Sequence, residues 1–111
     1  YTTLFRSDLK QFEKDHYKGA LPLRYRMLFF HIINKGQKDR VDEILKVLQN
    51  MNKELPDEAN RMSVLRELTG FERIANQQQK EKASTYLQEI SNNLQPNNAA
   101  YVQSLITRIK K

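Results

Sequence analysis

Two histidines are the only side chains of this chain whose ordinary titration falls near neutral pH, and neither sits in a constellation that could use it. His16 lies in the charged stretch Glu13–Lys18 and reads as a solvated residue. His31 interrupts Phe29-Phe30-His31-Ile32-Ile33 and reads as a histidine at a packing edge. General acid–base or nucleophilic catalysis needs a second group within reach of the first. The carboxylates are instead dispersed beside Lys and Arg, as on solvated helix faces. Phosphate loops, metal-ligand spacings and nucleophile motifs are absent from the sequence. The lack of cysteine excludes disulfides and a thiolate zinc site within the chain. The expectation is a non-enzymatic protein that needs no cofactor or metal. What remains is binding chemistry. Arg24, Arg26, Arg61 and Arg66 each carry a planar, permanently charged fork suited to phosphate or carboxylate. The formal net charge is +6, divided evenly along the chain, so it gives a mild attraction for polyanions and no basic arm.

The elements that must position these arginines are marked by proline and glycine. Gly36 and Gly70 stand 14 residues after Pro22 and Pro56, so the two pairs repeat at an offset of 34. Pro96 arrives 40 residues after Pro56, six later than that offset. Self-similarity on this scale marks stacked supersecondary units. Proline suits a first helical turn, and glycine suits a left-handed helix end. The spacing predicts antiparallel helix pairs at 23–34/39–52 and 57–68/71–93. The first helix carries Met27, Leu28, Phe30 and Ile32 among its apolar positions. Its partner places Val41, Ile44, Leu45, Val47 and Leu48 inward, at intervals of three and four. Asp57 and Glu58 lie at a positive helix end, and Thr69 with Glu72 has capping-box spacing. Phe71, Ile74, Ala75, Ala83, Tyr86, Leu87 and Ile90 continue one face. The polar stretch Asn76–Lys82 interrupts it, and periodicity does not decide whether the helix breaks there. Asp8–Lys18 reads as the second helix of an earlier unit, with Leu9 and Phe12 inward. Asn98–Lys110 reads as the first helix of a later one, with Val102, Leu105, Ile106 and Ile109 inward and Arg108 outward. Both outer helices are then left without partners. The predicted class is all-α, an α-solenoid fragment of antiparallel helical hairpins.

The segment Arg40-Val41-Asp42-Glu43-Ile44-Leu45-Lys46-Val47-Leu48-Gln49-Asn50-Met51 resembles the second helix of a pentatricopeptide repeat, which typically reads RVDEALELFEEM. Arg40, Val41, Asp42, Glu43, Leu45 and Met51 agree with that pattern. Pro56-Asp57 and Gly19-Ala20-Leu21-Pro22 resemble the ends of such repeats, and Pro96-Asn97 with Tyr101 and Leu105-Ile106 resembles the start of another. The related tetratricopeptide pattern shares Gly70 followed by Ala75 and is the alternative. The pentatricopeptide resemblance implies single-stranded RNA binding in organelle RNA metabolism, with a mitochondrial setting; otherwise the expected setting is cytoplasmic. In that family a polar residue of the first helix and another at the repeat's end read one base. Laying the prolines over one another puts the first-helix position at Leu28, Met62 and Val102. Laying the apolar pairs Leu28-Phe29, Val64-Leu65 and Leu105-Ile106 over one another puts it at Arg26, Met62 and Gln103. The end positions are Leu23, Asp57 and Asn97. Met62 fails in either register, which degrades the code there. Arg24, Arg26, Arg61, Arg66, Asp57 and Asn97 are therefore the candidate RNA- or partner-binding residues. The alternative implies a protein–protein interaction scaffold, including a subunit of a large organelle assembly, that takes a helix or extended peptide.

Tyr1-Thr2-Thr3-Leu4-Phe5-Arg6-Ser7 is an in-frame translation of TAC ACG ACG CTC TTC CGA TCT, which looks like the end of a sequencing adapter. Residues 1–7 are therefore expected to be a non-native leader, and 8–111 a helical-repeat segment cut from a longer array. The longest apolar run, Met27–Ile33, is too short to cross a bilayer and contains His31, so no membrane partner is expected.

Overall fold

In the computed structural model, the structure describes residues 20–111. The expectations for residues 1–7 and for Asp8–Lys18, and the reading of His16, lie outside the described residues. The described residues are all-helical and contain no strand. They form α1 (Leu21–Asn34), α2 (Val41–Glu54), α3 (Glu58–Leu65), the single turn α4 (Phe71–Ile74), α5 (Gln77–Ser91) and α6 (Pro96–Lys110). A short 3₁₀ turn, Lys38–Arg40, leads into α2, and another, Arg66–Leu68, tightens the end of α3.

The breaks lie close to where local chemistry puts them. Pro22 sits in the first turn of α1. Gly36, at φ +62°, ends that helix: its N–H reaches the Ile33 carbonyl at 3.2 Å, and the Gln37 N–H reaches the Ile32 carbonyl at 2.9 Å. This is a Schellman closure, which satisfies carbonyls that the helix end would leave open. Asp57 caps α3 by accepting the Ala59 N–H at 2.8 Å. The expected Thr69/Glu72 capping box does not form, because Gly70 itself is the N-cap of α4 at φ +96°. The positive φ favours glycine there, and a Cβ would also crowd the Arg73 Nη2 at 2.6 Å and the Ile33 Cγ2 of α1 at 3.0 Å. The box falls instead at Asn76 and Gln79, where each side chain bonds the other's backbone N–H at 2.8 and 2.9 Å. That settles the open point in the polar stretch: the helix breaks at Ala75–Asn76 and restarts as α5.

Packing joins both consecutive helices and helices apart in the chain. α1 lies against α3 and its 3₁₀ extension, α2 lies against α5, and α5 lies against α6. α1 also touches α2, and α4 touches α6. Phe29, Ile44, Leu48, Met51, Leu65, Phe71, Leu87, Ile90, Leu105 and Ile109 are among the fully buried side chains of one continuous core. The inward set assigned to α2 is buried throughout, and so are Val102, Leu105, Ile106 and Ile109 of α6. α6 therefore has partners in α5 and α4, contrary to the expectation that it would lack one. The apolar positions of α1 divide between core and surface. Phe29, Ile32 and Ile33 are buried, whereas Met27 and Phe30 are about half exposed, at 52% and 51%.

Candidate interaction surface

Arg61 is where the structure departs furthest from the arginine surface read from the sequence. It points inward from α3 and is 6% exposed. Its Nη1 donates to the Leu55 carbonyl at 2.8 Å and to the Pro56 carbonyl at 2.9 Å, and its Nη2 to the Asn93 carbonyl at 3.3 Å. The guanidinium thus holds the α2–α3 connection to the end of α5. The Arg61 guanidinium is therefore turned to backbone carbonyls inside the fold, away from the exposed positions of Arg24, Arg26 and Arg66.

The other candidates are more exposed. Arg26 donates from Nε to Glu67 at 3.4 Å, bridging α1 to the 3₁₀ turn. Arg24 is exposed on α1, and Arg66 is exposed where α3 ends. Asp57 is occupied as the α3 cap, and Asn97 is exposed in the first turn of α6. The first-helix positions compared above with the family pattern are also placed by the fold. Met62 and Val102 are buried and Leu28 is half-buried. Gln103 donates to the Gln88 Oε1 and the Ser91 Oγ, both at 3.0 Å, tying α6 to α5. Residues at the start of α2 are also engaged within the fold. Arg40 forms a bidentate pair with Glu43 at 2.6 and 3.0 Å, and Asp42 accepts from Gln79 Nε2 at 3.2 Å.

Sequence reasoning missed Glu58 as a junction. Its Oε2 accepts the Gln95 N–H at 3.0 Å and a short hydrogen bond from the Asn98 Nδ2, joining the starts of α3 and α6. Asn98, the Gln95 N–H and the Arg61 charge together hold the Glu58 carboxyl below the ordinary glutamate value of 4.5. A depressed folded-state value means that the stabilisation is present above the unfolded value and is lost as the proton returns. Thermal melts should therefore show the native protein losing stability as pH falls from about 4.5 through the lowered value. Glu58→Gln should flatten that acid limb. An unchanged acid limb in the variant would remove Glu58 from the account. Tyr25 is a second unassigned junction: its hydroxyl donates to Glu54 at 2.6 Å. Burial, then the hydrogen bond to Glu54, push its phenol up to about 12.

The remaining feature is an apolar stripe. Leu23, Met27 and Phe30 are the large hydrophobic side chains left exposed among the described residues, at 53%, 52% and 51%. Their spacing of four and three places them on one face of α1, turned away from buried Phe29, Ile32 and Ile33. With Arg26, His31 and Glu67 they line a shallow groove beside the 3₁₀ turn. His31 is exposed and lies edge-on to Phe30, with ring centroids 5.9 Å apart. Among the described residues, no cluster of three or more His, Cys, Asp or Glu side chains could hold a metal ion, and no helix is long and apolar enough to cross a membrane. Comparison with protein-family models, with curated proteins and with solved structures finds no match.

Proposed function

We propose that the chain is a non-enzymatic module of stacked helical hairpins that binds another protein. The observation that carries this reading is the Leu23/Met27/Phe30 stripe, an apolar face left in water by a helix that is anchored to the core through Phe29, Ile32 and Ile33. Scattered exposed apolar residues are ordinary, but an aligned set rimmed by polar groups marks an interaction site. The stacking part of the reading is supported by α1 lying on α3 and α2 on α5, which puts alternate helices in two layers. The 34-residue offset of the Pro/Gly pairs supports it too. Single-stranded RNA is the weaker reading, because its arginine surface is broken by burial of Arg61 and by the Arg26–Glu67 pair.

The absence of cysteine gives a direct test. Met27→Cys, labelled with a benzophenone maleimide, should crosslink from native extract to protein in adducts that resist nuclease. The same label at Thr107→Cys, on the polar outer face of α6, should give far less. Nuclease-sensitive adducts, or equal yields at the two positions, would refute the protein-binding reading.

A further inference from the structure

Resting on the protein-binding reading, we infer that the partner of the α1 stripe is a second copy of this chain, docked antiparallel across a two-fold axis at Met27. Leu23 lies four residues before Met27 and Phe30 three after it, on one face of the helix. An antiparallel copy therefore sets Leu23 against Phe30, Met27 against Met27 and Phe30 against Leu23. Each exposed side chain meets an apolar one, and the same patch serves both copies, as a two-fold interface requires.

The charged edge is self-complementary as well. Arg26 and Glu67 line the groove beside the stripe, one cation and one carboxylate 3.4 Å apart. A two-fold axis perpendicular to α1 brings that edge against the same edge of the other copy. Two arginines and two carboxylates then meet, and their charges balance. The pair within one chain uses the Arg26 Nε and the Glu67 Oε2, on side chains 45% and 28% exposed. Among the described residues no hydrogen bond takes the Arg26 Nη groups or the Glu67 Oε1, so these atoms are placed to bridge the copies. On the opposite edge the same axis puts Arg24 of one copy beside His31 of the other, and about 9 Å along the helix from the other Arg24.

A head-to-tail contact needs a second, matching patch elsewhere on the surface. Among the described residues the large exposed hydrophobic side chains all lie on α1, so the association closes as a dimer. Stable complexes cover about 800 Å² on each partner. Three half-exposed side chains and one charged edge make a smaller face, so the dimer is reversible and forms at micromolar or higher concentration. α1 is held by Phe29, Ile32 and Ile33, so little has to be ordered when the copies meet.

The test is sedimentation equilibrium of the full chain from low micromolar to near millimolar concentration, over which the parent should pass from monomer to dimer. Met27→Asp sets two carboxylates together at the axis. It should raise the dimer Kd at least about tenfold without lowering the melting temperature of the dilute protein. Leu23→Gln provides the same reading if the aspartate variant does not fold. The charged edge is tested by exchange. Arg26→Glu alone and Glu67→Arg alone each put four like charges on it and should dimerise less than the parent, whereas an equimolar mixture of the two should recover dimer. A chain that stays monomeric throughout, or that dimerises equally with and without the α1 substitutions, would overturn the second copy. Absence of recovery in the mixture would overturn the antiparallel docking. A monomeric chain whose labelled Met27→Cys variant still crosslinks to other proteins would leave the protein-binding reading standing, and failure of both would remove that reading with the dimer.

Discussion

Leu45→Asp is expected to leave the chain largely unfolded at 25 °C, whereas Leu45→Met at the same position should fold and melt near the parent. Leu45 is 5% exposed on α2, a helix that buries six side chains: Val41, Ile44, Leu45, Val47, Leu48 and Met51. Removing the leucine forfeits its transfer free energy, about 2–3 kcal/mol. The aspartate must then either bury a charge, which costs several kcal/mol more, or take up a proton and remain poorly satisfied. A total of roughly 4–6 kcal/mol is comparable with the whole stability of a small domain, about 5–15 kcal/mol. Methionine keeps the volume and the polarity, so its cost should stay under about 1.5 kcal/mol. Far-ultraviolet circular dichroism with urea titration is the measurement. Native-like helicity and midpoint in the aspartate variant would show that α2 packs by some other face.

Arg61→Ala is the second large effect, expected at about 2–4 kcal/mol, and it tests whether this arginine belongs to the fold or to a ligand. The guanidinium donates to the carbonyls of Leu55, Pro56 and Asn93. Hydrogen bonds from a charged donor contribute about 1.5–3 kcal/mol each, and carbonyls left buried without one add to the loss. Two terms act the other way. Desolvating the guanidinium carries a cost that the alanine variant escapes. The Nε of Arg61 is buried with no partner, so one donor is already unsatisfied in the parent. Arg61→Met should fall between, since it refills the volume but leaves the three carbonyls open. Urea denaturation at neutral pH orders the three proteins. If both variants lie within about 0.5 kcal/mol of the parent, as substitutions at an ordinary surface position do, Arg61 is not the clamp described here.

Glu58 and Arg61 together show how α3 is seated. One lies in its first turn and holds the start of α6, while the other holds the carbonyls before α3 and after α5. Losing either should loosen the same junction, with different signatures. The Glu58 contribution is present at neutral pH and is lost as the pH falls, whereas the Arg61 contacts to carbonyls involve no carboxyl to protonate.

What the sequence determined by itself is the set of features that act over a few residues. Pro22, Gly36, Asp57 and Pro96 fixed helix ends because ring geometry, left-handed backbone and capping oxygen act on their own neighbours. The inward faces of α2 and α6 were legible because each carries its apolar residues on one side only. α1 gave no such answer. Leu21, Leu23, Tyr25, Met27, Leu28, Phe29, Phe30, Ile32 and Ile33 surround it, so period 3.6 cannot choose a side. Only the seating of α3 against it put Phe29, Ile32 and Ile33 inside and left Leu23, Met27 and Phe30 in water. Arg61 was equally beyond local reasoning. An arginine on a helix is normally read as solvated, and what draws this one inward includes a carbonyl 32 residues away. That acceptor reaches Arg61 only after α2, α5 and the α2–α3 connection have packed, so the tertiary structure decided which cations and which apolar side chains the surface would keep.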